Sequence, residues 1–390
     1  MSSPNRSEQA FTSPWVTAWV DGCGSRYFRV GAPSLSRDRT SIRSTRWTDT
    51  VVLPIAEVRQ RVEAIFNKAG LNSVQSGPVT SVIVAAERDA AKSHGIYRIE
   101  GVLRTIKAGK VTPDASPTVL PGSASGIVTV SGGGGFANPA FELGLTALAD
   151  GARSCGIAAL VINDVVHFSA LWAEVEALTE RGLAGLAMCP SYAAVAPTGG
   201  NKPLLGTNPI AFGWPRDGKP PYVFDFATSV AARGEIELHR RAGKSLPDGW
   251  AIDAAGDATT DPESALAGAM LPFGGHKGSA MGTMVELLAG VMIGDLTSPE
   301  ALVQLGTTSL LPLHGELIIA FSPQAFSKGR PGNALVRAEL LFDAILGQGA
   351  RLPSQRRFLA RARSESEGIR LSFAEVEHLD RLLQQGLGAV

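Results

Sequence analysis

Residues 126–163 read GIVTVSGGGGFANPAFELGLTALADGARSCGIAALVIN and contain a glycine-rich turn between two apolar runs. The runs at 126–130 and 157–163 are short and rich in β-branched residues, which is typical of β-strands. Residues 138–153 carry apolar side chains at helical spacing. The stretch therefore predicts a strand–helix–strand unit and a fold of mixed α and β class.

The turn at 132–137, GGGGFA, also fits the pattern G-x-G-x-x-A of a dinucleotide-binding loop. Asp164 closes the second predicted strand, where an acid that binds a ribose would lie. Four consecutive glycines match many glycine patterns by chance, and Pro139 stands at the predicted start of the helix. Two interpretations stay open at this point: half of a Rossmann fold, or a tight turn between a strand and a helix.

The rest of the chain continues the mixture of strands and helices. Further strands are predicted at 182–189, 222–227 and 317–321, and helices at 53–70, 81–92, 279–294 and 372–386. Pro54 suits a first helical turn, and Gly70 stands where a C-cap belongs. Ser372 and Glu375 form the reciprocal pattern of a capping box.

Composition excludes several classes of protein. The 36 basic and 36 acidic residues balance, so no strong field is available to attract nucleic acid or an anionic membrane. The apolar runs are shorter than the roughly 18 to 20 residues that a membrane helix needs. Cys23, Cys155 and Cys189 are too few and too widely spaced for a disulfide framework or a zinc site, which favours the reducing cytoplasm.

The first 50 residues differ from the remainder. They are rich in Ser, Thr and Arg, show no sustained period, and lack the apolar core of a secretory signal. We expect 1–50 to be an irregular leader, either an over-extended reading frame or a disordered segment, and exclude it from the prediction of the fold.

Six segments, in one order along the chain, carry a resemblance to a known family. They are RDAAKSHGIYRIEG (88–101), VHFSALW (166–172), LLGTNPIAFGWPR (204–216), VFDFATS (223–229), LPFGGHKGSAMGTMVELLAG (271–290) and ARLPSQRRFLARAR (350–363). From about residue 52 to its end the chain resembles the malate/L-lactate dehydrogenase-like NAD(P)H oxidoreductases, which are separate from the Rossmann lactate dehydrogenases. Within that family it is most similar to the Δ1-piperideine-2-carboxylate/Δ1-pyrroline-2-carboxylate reductases.

The resemblance implies a fold that the glycine spacing alone does not indicate. It implies a mixed α/β (α+β) fold with a non-Rossmann NAD(P)-binding domain on a largely antiparallel sheet, and a homodimer. We expect a helical substrate domain built from 51–160 plus 335–390, and a cofactor domain at 161–334.

The resemblance also implies roles for particular residues. Reduction of a cyclic imino acid needs a proton donor at nitrogen and a cation for the carboxylate, and histidine and arginine suit these two tasks. His94 matches the proton donor with Ser93 as its relay partner, and Glu235 stands in the place of the relay's acid, within RGE where HGD is usual. The matching substrate contacts are Arg98, Thr207, Arg233 and Gly234.

Three further segments match cofactor contacts, and a basic loop favours NADPH while leaving NADH open. That loop has Ser354-Gln355 where Gly-Asp is usual. The matching residues are His167, Phe168, Ser169, Ala170, Leu171, Asp225, Phe226, Ala227, His276, Lys277, Arg351, Leu352, Pro353, Ser354, Gln355, Arg356 and Arg357.

Other interpretations of these residues remain open. Arg98 and Glu235 also suit structural ion pairs, and His314 and His378 have no partner at ligand spacing, so no metal is predicted. The main hypothesis is an NAD(P)H-dependent reductase of cyclic imino acids. The alternatives are a dehydrogenase of 2-hydroxy acids of the malate, lactate or ureidoglycolate type, because fold does not fix substrate, and a catalytically silent dinucleotide-binding paralogue.

Overall fold

The computed structural model of the chain describes residues 50–121 and 126–390. The expected leader, 1–50, lies outside the described residues except for Thr50, its last residue. No helix in the described part of the chain is both long and apolar enough to cross a membrane.

The bounds of the regular elements follow. The strands are β1 Thr50–Leu53, β2 Thr118–Leu120, β3 Ile127–Ser131, β4 Ile157–Asn163, β5 Ala184–Met188, β6 Ile210–Trp214, β7 Tyr222–Phe226, β8 Ala251–Ile252, β9 Ala258–Thr259, β10 Ala269–Met270, β11 Glu316–Phe321 and β12 Ile369–Ser372. The α-helices are α1 Ile55–Lys68, α2 Ser73–Arg88, α3 Ile99–Lys107, α4 Ala137–Cys155, α5 Trp172–Thr179, α6 Arg233–Arg241, α7 Pro262–Ala267, α8 His276–Glu286, α9 Ser298–Leu305, α10 Pro323–Phe326, α11 Ala334–Gly347, α12 Gln355–Glu367 and α13 Phe373–Gln385.

A seven-stranded sheet forms the centre, in the order β2-β3-β4-β11-β5-β6-β7. Only β3 and β4 run parallel in this sheet, and every other neighbouring pair is antiparallel. Strands β8, β9 and β10 form a small separate sheet, and β1 pairs with β12. The prediction of a largely antiparallel, non-Rossmann sheet is therefore confirmed.

The glycine-rich turn at 132–135 connects β3, the first strand of the one parallel pair in this sheet, to α4. Its N–H groups donate hydrogen bonds to other parts of the protein. The N–H groups of Gly132 and Gly134 donate to the carbonyls of Asn163 and Asp164, each at 2.8 Å. Gly133 and Gly134 have φ values of +61° and +80°, a region that favours glycine. The N–H of Phe136 donates to Gln75 Oε1 at 2.8 Å.

The N–H groups of Gly132, Gly134, Phe136 and Ala137 are therefore bonded within the protein and are not available to a pyrophosphate. Asp164 accepts a hydrogen bond from Ser131 Oγ at 2.7 Å, within the turn. The Rossmann interpretation is wrong, and the interpretation as a tight turn is correct. The glycines are required by local geometry and by the close approach of Gln75.

The helices near the two ends of the described chain share one core. Val58, Val62 and Phe66 of α1 pack with Leu379 and Leu382 of α13. Strands β1 and β12 pair with Val51 opposite Leu371, which ties the first described residues to the last helices. A second core lies between α4, α5 and the central sheet. The division into the domains 51–160 plus 335–390 and 161–334 stays a prediction.

The structure differs from the sequence predictions at α2 and at β6, and each difference has a physical reason. The helix predicted at 81–92 begins at Ser73, because Asn72 caps it and the helix continues through Pro78 despite the amide that proline lacks. Strand β6 was not predicted because Gly213 interrupts its apolar pattern. The predicted capping box of α13 is present, with both reciprocal hydrogen bonds between Ser372 and Glu375.

Candidate active site

One cavity of about 840 Å³ gathers most of the residues that the sequence singled out. Its volume lies in the range of small-molecule and cofactor sites. It is lined by loops that follow α2, β4 and β7 and by the first turns of α6 and α12. The predicted residues in its wall are Ser93, His94, Arg98, His167, Phe168, Ser169, Ala170, Thr207, Asp225, Phe226, Ala227, Arg233, Gly234, Glu235, Ser354 and Arg357.

The remaining predicted residues lie outside this wall. Leu171 is fully buried behind it, and Leu352 is also buried. His276 and Lys277 are exposed in the first turn of α8. Arg351 and Arg356 are exposed, and Pro353 and Gln355 complete their loop. Gln355 Oε1 accepts a hydrogen bond from the N–H of Leu352, which shapes this loop.

Two short 3₁₀ turns, Lys92–His94 and Ile96–Arg98, place His94 and Arg98 in the cavity. Ser93 Oγ lies 3.0 Å from His94 Nδ1, within hydrogen-bond distance. A hydrogen bond from Arg98 Nε to the Ser93 carbonyl, 2.8 Å long, joins the two turns. The arrangement holds a histidine and a guanidinium side by side at one wall.

The surroundings of His94 favour its neutral form. Burial, which is the largest cause, together with the positive charge of Arg98 and the nearby His167, lowers its pKa to about 3. A ligand carboxylate bound to Arg98 would offset that positive charge. Burial also lowers the pKa of Arg98, although a guanidinium remains charged in proteins.

Arg98 has no carboxylate partner among the described residues. Its one hydrogen bond there uses Nε, so both terminal nitrogens remain for a ligand. A cation without a partner at the wall of a cavity is suited to bind a carboxylate, which a guanidinium can bind with two parallel hydrogen bonds.

Arg233 and Glu235 lie in the first turn of α6 and also line the cavity. Arg233 Nη2 donates to Thr308 Oγ1 at 3.0 Å and to the Leu266 carbonyl at 3.2 Å, which fixes the guanidinium. Glu235 is exposed and has no hydrogen bond to His94 within the described residues. The relay role of Glu235 stays a prediction.

The segment after β4 forms the floor of the cavity. The N–H of His167 donates to the Pro312 carbonyl, and Asn138 Nδ2 donates to Ser169 Oγ at 3.2 Å. Asp225 Oδ2 accepts a hydrogen bond from the N–H of Trp172 at 3.0 Å, which joins this segment to the end of β7. Burial raises the pKa of Asp225 to about 6.

Arg357 is among the residues predicted to contact the cofactor, and its guanidinium takes part in a buried ionic network. Arg357 Nη1 donates to Asp89 Oδ2 at 2.8 Å, and Nη2 donates to Glu176. Arg361 pairs with the same two carboxylates. Arg357 also lies 4.2 Å over the ring of Trp172. This network fixes α12 against α2 and α5.

A group of buried acids and bases behind His167 was not predicted. His167 Nε2 lies 3.3 Å from Glu316 Oε2, and the rings of His167 and His314 are 5.2 Å apart. His314 therefore has neighbours at ligand distance that its position in the sequence does not reveal. The signal was present, because Glu316 is a carboxylic acid within the apolar strand GELIIAF.

Comparison with known proteins identifies relatives over nearly the whole described chain. Residues 53–380 match the family model described as malate/L-lactate dehydrogenase. The Δ1-pyrroline-2-carboxylate reductase of Agrobacterium fabrum is 72% identical over 343 residues, which are 88% of this chain and 99% of that protein. The Δ1-pyrroline-2-carboxylate/Δ1-piperideine-2-carboxylate reductase of Pseudomonas aeruginosa is 53% identical over 85% of this chain and 99% of that protein.

Solved structures agree with this similarity. The Δ1-piperideine-2-carboxylate reductase of Pseudomonas syringae superimposes with a TM-score of 0.81 at 40% identity, over 85% of this chain and 99% of that one. The malate dehydrogenase of Entamoeba histolytica has a TM-score of 0.76 at 22% identity over 86% of this chain and 98% of that one, which shows a shared fold.

Proposed function

The chain belongs to the malate/L-lactate dehydrogenase family, and from that premise we propose that it reduces cyclic imino acids with a nicotinamide cofactor. The reactions are Δ1-pyrroline-2-carboxylate to L-proline and Δ1-piperideine-2-carboxylate to L-pipecolate. The observation that carries the proposal is the 72% identity, over almost its full length, to a Δ1-pyrroline-2-carboxylate reductase. His94 lines the cavity beside Arg98, which has no carboxylate partner among the described residues, and this supports the same chemistry.

The residues that line the cavity have different roles in this reaction. When bound, the cofactor supplies a hydride to the carbon beside the substrate carboxylate. The terminal nitrogens of Arg98 hold that carboxylate, and His94 gives a proton to the ring nitrogen. Ser93 keeps the imidazole in place through Nδ1, while Thr207, Arg233 and Gly234, which also line the cavity, bound the substrate.

The residues present fit a nicotinamide cofactor. Residues His167–Ala170 and Asp225–Ala227 line the cavity, and the ring of Phe226 is 41% exposed. These segments offer an apolar surface with a few polar groups, as cofactor sites do. Leu171, His276, Lys277 and the loop 351–357 complete the proposed binding surface. The domain 161–334 carries most of it, and the domain 51–160 plus 335–390 carries the substrate side.

NADPH is the proposed cofactor. Arg351 and Arg356 are exposed and form no ion pair within the described chain. Ser354 and Gln355 place no acid in their loop, so a 2′-phosphate would meet cations without repulsion. With both arginines changed to alanine, kcat/KM for NADPH should fall while kcat/KM for NADH stays the same. An equal change for both cofactors would contradict this assignment.

A homodimer in the cytoplasm is also proposed. Helix α11 buries only Phe342 in the monomer, whereas Val336, Leu340 and Leu341 are 58%, 67% and 60% exposed. Such an apolar helix face marks an interface rather than a free surface, and a second copy of the chain is the proposed occupant.

Cys155 and Cys189 are free thiols, which agrees with a reducing compartment.

The test compares substrates and then removes the proposed proton donor. Oxidation of NADPH and NADH is followed with both cyclic imines and with a set of 2-keto acids. Turnover of imines supports the proposal, and turnover of keto acids alone would overturn it. His94→Ala should lower kcat for the imine by about 10²- to 10⁴-fold, the contribution of a positioned acid. His239→Ala is the matched control, since His239 bonds only the Ser245 carbonyl and packs on Trp250.

A further inference from the structure

The wall of the cavity carries more positive charge than a single carboxylate needs. Six arginines line it, and four of them pair with carboxylates of the protein, namely Arg104 with Glu100, Arg240 and Arg241 with Glu237, and Arg357 with Asp89. Arg98 and Arg233 have no carboxylate partner in the described ranges of the chain. The proposed reaction uses Arg98 for the one carboxylate of its substrate, which leaves the charge of Arg233 unexplained.

Arg233 is half-buried, and its guanidinium is fixed on one side only. Nη2 donates to Thr308 Oγ1 at 3.0 Å and to the Leu266 carbonyl at 3.2 Å. Tyr192 supports the same side, because its ring centre lies 6.0 Å from the guanidinium carbon and its hydroxyl donates to the Thr308 carbonyl at 3.2 Å. Nε and Nη1 of Arg233 donate to no other described residue. A guanidinium that is held in place therefore keeps donors for a charge-assisted hydrogen bond to a ligand anion.

The elements that carry Arg98 and Arg233 touch each other at the cavity. A Cβ at Gly234 would lie 3.9 Å from Tyr97 Cε1, which is ordinary van der Waals contact. Tyr97 precedes Arg98 in the second 3₁₀ turn, and Gly234 follows Arg233 in the first turn of α6. Burial lowers the pKa of Arg98, and Tyr192, which packs on Arg233, is close enough to oppose that shift. The two cations are therefore placed to act on one small ligand.

The acids of α6 do not neutralise Arg233. Glu237 is already bonded to Arg240 and Arg241, at 2.7 and 2.8 Å. Glu235 is exposed, and it does not face Arg233 because side chains two positions apart on a helix point in different directions. Arg233 also lies at the N-terminus of α6, where the helix dipole adds a partial positive charge. This part of the wall is electropositive and favours an anion.

We propose that the enzyme also reduces cyclic imino acids with two carboxylates, of which Arg98 binds the first and Arg233 the second. The class is represented by Δ1-piperideine-2,6-dicarboxylate, whose second carboxylate is on the other ring carbon bonded to nitrogen. The reaction is the same as for the monocarboxylate: a hydride adds to the imine carbon, His94 gives a proton to the ring nitrogen, and the second carboxylate is unchanged. This inference rests on the proposed imine reduction, whose monocarboxylate substrates leave Arg233 to solvent.

Two substrates with the same ring test the proposal. The wild type should reduce Δ1-piperideine-2,6-dicarboxylate with a KM roughly ten- to a hundred-fold below that of Δ1-piperideine-2-carboxylate, because a hydrogen bond between two charged groups is added. In Arg233→Gln, which removes the charge, the two KM values should become equal, while kcat and the KM of the monocarboxylate stay the same. Arg233→Lys keeps the charge and should recover part of the difference.

Arg240→Gln is the matched control. Arg240 lines the same cavity and lies on the same helix, but its side chain is 43% exposed and pairs with Glu237. Removal of its charge should change the KM of neither imine. If Arg240→Gln and Arg233→Gln raised the KM of the dicarboxylate equally, the general charge of the wall would attract it and the assignment to Arg233 would be wrong.

Failure of this inference can be distinguished from failure of the proposed function. Reduction of the monocarboxylate without reduction of the dicarboxylate would overturn the inference alone, and reduction of neither imine would overturn both. Turnover of an open-chain keto dicarboxylate such as 2-oxoglutarate, with no turnover of the imino dicarboxylate, would also overturn it.

Binding of the saturated products gives a readout that needs no turnover. Piperidine-2,6-dicarboxylate and L-pipecolate are titrated by calorimetry into the enzyme with oxidised cofactor. The wild type should bind the dicarboxylate more tightly than L-pipecolate, and Arg233→Gln should bind the two equally. A wild type that binds L-pipecolate as tightly as the dicarboxylate would contradict a second carboxylate site at Arg233.

Discussion

Glu87 Oε1 accepts a hydrogen bond from the backbone N–H of Ile96 at 2.9 Å, across the loop that carries His94. The other oxygen of this buried carboxylate pairs with Lys92 Nζ at 2.6 Å. Lys92 and Ile96, which lie on either side of His94, are therefore both bonded to Glu87 of α2. Burial raises the pKa of Glu87 although Lys92 opposes the shift, so the position of the loop depends on a carboxylate with little access to water.

Gly95→Ala should displace the loop and lower kcat. A Cβ at residue 95 would lie 2.1 Å from Glu87 Oε1, too close for any real contact, so either the carboxylate or the loop must move. Since displacement of a catalytic group by about 1 Å can cost 10²-fold, we expect at least a ten-fold loss of kcat in a folded protein. Steady-state kinetics and thermal unfolding check this together.

The control for that variant is Gly77→Ala, at a helix position where a Cβ meets nothing within 4 Å. Its kcat should equal that of the wild type. Wild-type kcat in Gly95→Ala would mean that the contact between Glu87 and the loop does not position His94.

Arg98→Lys should raise KM for the imino acid and leave KM for the cofactor unchanged. Lysine keeps the charge but loses the fork of two donors and the bond from Nε to the Ser93 carbonyl. A hydrogen bond to a charged group contributes about 1.5 to 3 kcal/mol, so the expected rise is roughly ten- to a hundred-fold.

Arg104→Lys is the matched control, since Arg104 lines the same cavity but is 47% exposed and pairs with Glu100. An equal effect in the two variants would show that Arg98 acts through general charge and not as the carboxylate site.

The fold class was predicted from the resemblance, and part of the candidate site can be read from local sequence, whereas the strand order cannot. Histidine and arginine four positions apart in one loop signal chemistry locally, and the structure puts both in the cavity. Strand order depends on pairing between distant residues, so nothing local reveals that β11 lies between β4 and β5. The turn at 132–135 shows the same limit. Its sequence matches a dinucleotide-binding fingerprint, and only the structure shows that Gln75, about 60 residues away, bonds the backbone beside this turn.

The sequence also did not predict which buried charged residues contact one another. A sequence does not show that Arg357, predicted as a cofactor contact, pairs with Asp89 and Glu176. Glu316 escaped notice because its neighbours His167 and Glu174 come from other elements. A charged residue inside an apolar run is the one local sign of such a group.

Asp89→Asn should lower the free energy of unfolding by about 3 to 5 kcal/mol, because it leaves Arg357 and Arg361 partly uncompensated in a buried network. Urea unfolding measures this change. Asp150→Asn is the matched control: its partner Arg153 is 49% exposed, and an exposed pair contributes less than about 1 kcal/mol. Equal losses would contradict a special role for the network.

The same network predicts a dependence on pH. Hydrogen bonds from Arg361 and Arg88 lower the pKa of Asp89 in the folded protein, despite the opposing effect of burial, which is the largest single cause. Because the folded pKa lies below the unfolded one, this stabilisation is complete above the unfolded value of about 3.9 and is lost as the pH falls through the folded value. The difference in unfolding free energy between wild type and Asp89→Asn should therefore be constant above about pH 3.9 and decrease below it. A difference that did not decrease in acid would contradict a lowered pKa of Asp89 in the folded protein.

Gly135→Ala should destabilise the fold without weakening cofactor binding. A Cβ there would lie 2.6 Å from Gln75 Nε2 and 2.8 Å from Ala115 Cβ, so Gln75 must move and its hydrogen bonds to Phe136 and Ala115 must weaken. Overpacking of this kind costs about 1 to 3 kcal/mol. If these glycines instead held a pyrophosphate, the same change would raise the Kd of the cofactor. Urea unfolding and a cofactor titration on one preparation distinguish the two, and Gly77→Ala in α2 should leave Kd unchanged.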